Sequence, residues 1–203
     1  MAGNEAFQTP ERAALSVERR RMVRSRRFLQ AALTHPAADW ATRRAFILTC
    51  VEQLRIAVLR MIAQDLSLAD QLRAVLPADL AADHAYLDEM HERLTLRSEE
   101  LGEFVAASEQ LGDGEAALEA FAAAVHRFFD DSPSQKRSRP AHSLPPLIET
   151  YGSPDAWAVA QHVADEIGSE LEAFERVEAT AYPGLGDLVA AAEQQAPARR
   201  KPA

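Results

Sequence analysis

The sequence predicts an all-α fold, an up-down bundle of four to five antiparallel helices with no sheet. Three observations predict it. The strong helix formers Ala, Leu, Glu and Arg dominate the chain. No stretch sustains an alternation of β-branched residues of the kind a half-buried strand shows. Apolar residues recur at helical spacing in segments joined by short turns, which favours antiparallel neighbours. The 203 residues can bury a core without staples, and the lone cysteine, Cys50, excludes a disulfide framework or a Cys-rich zinc or iron–sulfur site. An apolar fraction of 47% with 26% charged residues excludes global disorder.

The expected elements follow in order within one helical-bundle domain over residues 1–181. A basic N-terminal helix spans 10–34. Thr9 caps it, Pro10 suits the first helical position, and Glu11 complements the positive helix end. Leu15, Met22 and Leu29 recur every seven residues, and Pro36 ends the run because the preceding residue avoids the α region. A second helix, 39–66, is apolar nearly all round, which marks a central core helix. Cys50 within it reads as a small buried hydrophobe. A short piece over 67–76 precedes Pro77, and a third helix covers 79–110. Gly112 and Gly114 break the chain before a fourth helix at 115–131. Residues 132–153, with four prolines and the basic residues Lys136, Arg137 and Arg139, read as a Pro-rich loop. Ser153-Pro154-Asp155 opens a fifth helix over 154–179. Tyr182-Pro183-Gly184 stops it, and 182–203 is expected to be a mostly flexible tail with a turn or two near 185–193.

Charge is distributed unevenly. Residues 1–60 carry a net +6 and residues 61–203 a net −15, within an overall −9. Such a split arises when a basic arm meets nucleic acid or an anionic membrane, or when a basic helix packs beside acidic helices of its own chain. The complementary signs favour the second. Nucleic acid is not expected, because the basic helix has no interleaved aromatics and no helix-turn-helix spacing. The most hydrophobic stretch, 45–62, is interrupted by Glu52, Arg55 and Arg60, so no membrane span is expected. With neither a signal segment nor disulfides, the cytoplasm is the expected compartment. No phosphate loop, nucleophile elbow or zincin motif is present and no acid/base pair stands out, so whether the chain is an enzyme stays open, with the reading leaning against one.

Four histidines lie on predicted helices. Leu80, Leu87, Leu94 and Leu101 define one seam of the third helix, and His84, His91 and Ser98 fill the other seam position. At about 100° per residue both rings fall within the apolar stripe, with Asp88 four after one and three before the other. Two imidazoles and a carboxylate on one inward face is how a bundle presents ligands to iron, manganese or zinc. A hydrogen-bonded pair of core histidines is the alternative. His126 with Asp130, and His162 with Glu166, have the same one-turn spacing, although the wheel places His126 off the apolar stripe and His162 on a solvent face.

The order of these pieces, over about residues 80–174, resembles the hemerythrin-like (HHE cation-binding) family. The matching residues are Asp83-His84 with Leu87, His126-Arg127-Phe128-Phe129-Asp130-Asp131, Leu144-Pro145-Pro146-Leu147, and Gln161-His162 with Asp165-Glu166. The resemblance implies a non-haem di-iron site, used as a sensor or carrier, with His84, His126, Asp130 and His162 as ligands. That ligand set is incomplete, since Asp130 stands where the family has Glu and no histidine follows His162. The rival expectation is a metal-free helical adaptor or regulatory protein that docks a protein partner through the Arg12–Arg27 helix or the 132–153 loop.

Overall fold

The computed structural model describes residues 9–37, 39–112, 115–136 and 144–195, and every regular element among them is a helix. Helix α1 (Pro10–Thr34) starts as the sequence requires: Thr9 accepts a hydrogen bond from the Arg12 amide at 3.3 Å, with Pro10 in the first turn. It ends at His35, whose extended backbone precedes Pro36. Arg43 closes this end by donating to the carbonyls of Ala32 and Leu33, at 2.7 and 2.5 Å.

Helix α2 (Trp40–Val75) begins on Asp39, which accepts from both the amide and the hydroxyl of Thr42. It runs for 36 residues, about 54 Å at 1.5 Å per residue. The expected end near residue 66 is therefore wrong. No Gly or Pro interrupts residues 66–76, and Leu68, Ala69 and Leu72 are buried, so the helix continues until Pro77 forbids it. The rest of the fold is arranged around α2, which packs against α1, α3 (Ala81–Glu109), α6 (Leu144–Tyr151), α7 (Ala156–Asp165) and α8 (Glu170–Thr180). Arg43 reaching Ala32 while Arg19 reaches Asp65 makes α1 and α2 antiparallel. Arg44 on the Leu111 carbonyl and Arg73 on Asp88 do the same for α2 and α3.

Helix α4 (Glu115–Phe129) returns along α3 and meets it through stacked rings. Phe104 lies 5.9 Å from Phe121 and 4.8 Å from Phe128. The Arg97 guanidinium covers Phe128 at 3.6 Å and donates to the Phe128 carbonyl.

The second half departs from the expected elements. The stretch expected to be a loop contains α5 (Pro133–Lys136) and α6; residues 137–143, with Arg137, Arg139 and His142, lie outside the described residues, as do 196–203. The expected fifth helix is two, α7 and α8. Gly168 sits between them at φ +128°, where a side chain is strained, and Ser169 caps α8 by accepting from the Glu172 amide at 3.2 Å. Buried Arg60 fixes the break from the other side, donating to the carbonyls of Ala164 and Gly168, both at 2.8 Å. The expected flexible tail contains α9 (Leu185–Gln195), which packs on α1 with Leu185 and Val189 buried. The Tyr182 hydroxyl donates to the His35 carbonyl at 2.8 Å, and Gly184 (φ +91°) lies so close beneath His35 that a Cβ would stand 2.8 Å from its Nε2. No helix among the described residues is long and apolar enough to cross a membrane.

Candidate functional site

The histidine seam expected on α3 is rotated by one residue. The buried face consists of Leu87, Leu94 and Leu101 with Met90, Arg97 and Phe104, so Met90 takes the inward place proposed for His91. His91 is exposed, and His84, in the first turn, is half-buried with Nε2 3.2 Å from the Pro77 carbonyl oxygen. Asp88 is 71% exposed and paired with Arg73 at 2.6 Å. His126, His162 and Glu166 are exposed, and exposed Asp130 is held by Arg26. Among the described residues no group of three or more His, Cys, Asp or Glu side chains is placed to hold a metal ion. As arranged here, the donors implied for iron do not converge, and the carboxylates Asp88 and Asp130 are taken by arginines. This donor set does not fit a shared di-iron centre. Cys50 is fully buried, and burial pushes its thiol well above the ordinary range, so it is no nucleophile.

The charge split resolves inside the chain. Arg12 pairs with Glu149 of α6, Arg19 with Asp65 of α2, and Arg21 and Arg24 with Glu170 and Glu178 of α8. Arg26 pairs with Asp130 beyond α4, and Arg27 with Glu193 of α9. The basic helix therefore spends these charges on acidic groups of its neighbours along its length. On α2, facing Glu18 of α1, Arg60 is 3% exposed and engages all three guanidinium nitrogens: Nε and Nη2 on Glu18, Nη2 also on Asp165, and Nη1 on the two carbonyls that frame the α7–α8 break.

One place along α1 is left open. Helices α1 and α3 both rest on α2 without packing closely on one another, and a trough with α2 as its floor lies between them. It consists of two cavities of about 350 and 300 Å³, which share Asp65 and Arg93 and fall within the size range of small-molecule sites. The first cavity is closed by Trp157 of α7 and by Leu144 and Pro145 of α6, and carries Arg12, Ser16, Arg19 and Tyr86. The second is lined by Met22, Val23, Met61, Leu94 and Phe129 together with Arg26, Arg97 and Ser134. Burial pushes Asp65 above the usual carboxylate range, against the opposing pull of Arg19 and Arg93. Burial likewise raises Tyr86, whose hydroxyl accepts from the Leu144 amide.

Two donors in this trough lack acceptors among the described residues. Arg93 is half-buried and makes no ion pair or hydrogen bond with them, whereas the other arginines of the trough are all paired. The Trp157 indole N–H is buried with no acceptor, although the ring itself lies under the Arg12 guanidinium at 5.4 Å. Sequence reasoning named neither residue. The available signal was the seven-residue repeat Arg12, Arg19, Arg26 on the same face as Leu15 and Met22, which gives α1 an amphipathic edge instead of a purely solvated one. Compared with family models, curated proteins and solved structures, the chain matches none.

Proposed function

We propose that this chain is a non-enzymatic helical binding protein whose trough between α1 and α3 takes a small amphipathic anion. The observation that carries this reading is that Arg93 and the Trp157 N–H, both lining one cavity, have no hydrogen-bond or ion-pair partner among the described residues. Arg93 has only the longer-range attraction of Asp65 and no hydrogen-bond or ion-pair partner among the described residues, so an anionic ligand would supply the direct contact it lacks. The neighbouring Leu15, Leu68 and Met90 supply apolar surface for the rest of the molecule. Docking of a protein partner through the Arg12–Arg27 face would first have to break the internal ion pairs of that helix.

The test is a titration with 1-anilinonaphthalene-8-sulfonate, a compact aromatic monoanion. Saturable binding at one site is expected, weakened about tenfold or more in Arg93→Gln, the range set by one charge-assisted hydrogen bond. The thermal midpoint of unliganded Arg93→Gln should fall only slightly, reflecting the roughly 0–1 kcal/mol of the longer-range attraction to Asp65, because Arg93 makes no hydrogen bond or ion pair with the described residues. Dye binding that ignores the substitution, or no saturable binding, contradicts the reading.

A further inference from the structure

We infer that the trough takes up a proton with its anion and holds that proton on Asp65, so that binding tightens as pH falls. This inference rests on the binding reading above and names the regulation of that site.

Among the described residues that line the two cavities, Asp65 is the only carboxyl group, and it lines both. Its Oδ1 accepts from Arg19 Nη2 at 3.0 Å, and its side chain is 22% exposed, so solvent screens it less than a surface acid. Around it stand Arg12, Arg19 and Arg26 of α1 and Tyr86, Arg93 and Arg97 of α3. The residues that α5, α6 and α7 contribute, Ser134, Leu144, Pro145 and Trp157, carry no charge. Arg12, Arg26 and Arg97 are paired with Glu149, Asp130 and Glu100, and Glu18, beside Arg19 on α1, is turned to Arg60 and Gln64. Asp65 is therefore the resident counter-ion of the trough, bonded to Arg19 and attracted by Arg93. No histidine lines either cavity, which leaves Asp65 as the lining group that changes charge between mildly acid and neutral pH.

An anion entering this space adds a second negative charge beside the first, and two effects then act on Asp65 with the same sign. The newcomer repels the carboxylate directly. It also draws on Arg19 and Arg93, whose attraction is what opposes the effect of burial on Asp65 in the free protein. Both effects favour the protonated acid, so Asp65 holds its proton more tightly in the complex than in the free chain. The coupling is reciprocal, and the proton must therefore tighten the anion as much as the anion tightens the proton. Below both pKa values Asp65 is protonated throughout and affinity stands at its upper plateau; above both it is ionised throughout and affinity stands at its lower one. Between them affinity falls as pH rises, by at most tenfold per pH unit, the limit of one proton taken up per anion. The window lies above the usual carboxylate range, because burial already places the free acid there. Protonation also loosens the hold of Asp65 on Arg19 and gives the acid an O–H to donate to the ligand.

Calorimetric titration of the full chain with 1-anilinonaphthalene-8-sulfonate tests the inference, because a sulfonate keeps its charge at every pH used. From about pH 8 to about pH 5 affinity should rise about tenfold or more, the effect of a like charge close to a carboxyl group. Titrations within that window in two buffers of different ionisation enthalpy should show proton uptake on binding, approaching one proton per anion. Asp65→Asn should bind at about pH 8 nearly as tightly as the parent does at about pH 5, with a flat profile and no proton uptake. The buffer comparison needs no variant, so it decides the matter even where Asp65→Asn fails to fold. Saturable, Arg93-dependent binding without proton uptake overturns the inference and leaves the binding reading standing. A pH dependence that survives Asp65→Asn overturns it too, as does weaker binding by that variant, which would make Asp65 a positioning residue for the arginines. If no saturable binding occurs, both fall.

Discussion

Arg60 shows how one side chain converts an interruption in the sequence into an architectural joint. In a stretch of α2 that is otherwise apolar it reads as a defect, yet its guanidinium bonds Glu18, Asp165 and the carbonyls of Ala164 and Gly168. Arg60→Ala leaves Glu18, at 13% side-chain exposure, without its main counter-charge and removes the cap of α7, so a loss of about 3–5 kcal/mol is expected in urea unfolding. Two carboxyl groups give opposite pH signatures. Burial raises Glu100, but hydrogen bonds from Ser132, Ser134 and Arg97 outweigh it and hold the group below its ordinary value. Its contribution is present above the unfolded pKa and is lost as pH falls through the folded one. Asp65 is raised by burial, so its contribution falls as pH rises from the unfolded value through the folded one. In pH-dependent unfolding, Glu100→Gln should flatten the acid-side decline, and Asp65→Asn should remove a decline on the rising side. A profile unchanged by either substitution contradicts these assignments.

At the scale of elements, glycine separates helix interior from helix break. Gly102 lies inside α3 with nothing within 4 Å of where an added methyl would sit, so Gly102→Ala should stabilise by about 0.5–1 kcal/mol. Gly168 has equal space, but its backbone sits at φ +128°, and Gly168→Ala should cost about 1–3 kcal/mol. Calorimetric midpoints moving in opposite directions would check both. The ion pairs of α1 can be tested as a set. Arg19, Arg24 and Arg27 are 49%, 43% and 30% exposed, so each pair is worth roughly 0–1 kcal/mol. Replacing all three by Gln should lower stability by about 1–2 kcal/mol at low salt, with the gap closing in about 1 M salt. Loss of partner capture with undiminished stability would instead return the arginines to an external role. The starts of α1 and of α2 were legible because capping is local: Thr9-Pro10 and Asp39 act within a single turn. The α7–α8 break had an equally local signal in Gly168-Ser169 with Glu172, which the long apolar periodicity of the fifth segment concealed. The seam of α3 was misplaced because Leu87 and its heptad mates leave two neighbouring positions open, and Met90 with Phe104 outcompetes His84 with His91 for the interior.

For the whole molecule, the helical class and the central place of the second helix were legible in composition and periodicity, and the internal use of the charge split in its complementary signs. The trough was not, because it is made by residues as distant in sequence as Arg12, Asp65, Arg93 and Trp157, and no single segment signals that two donors will be left without acceptors. The functional reading stands on Arg93 and Trp157 awaiting an anion between α1 and α3. Side-chain ¹H–¹⁵N resonances report on both donors at once, and Trp40, whose indole N–H is also buried without an acceptor but lies outside the trough, provides an internal control. On titration with 1-anilinonaphthalene-8-sulfonate, the Arg93 Nε–H and Trp157 Nε1–H signals should shift together and saturate, with Trp40 and Arg73 unmoved. Saturable shifts at Trp40 or Arg73 with Arg93 and Trp157 silent, or no shifts at all, would contradict that reading.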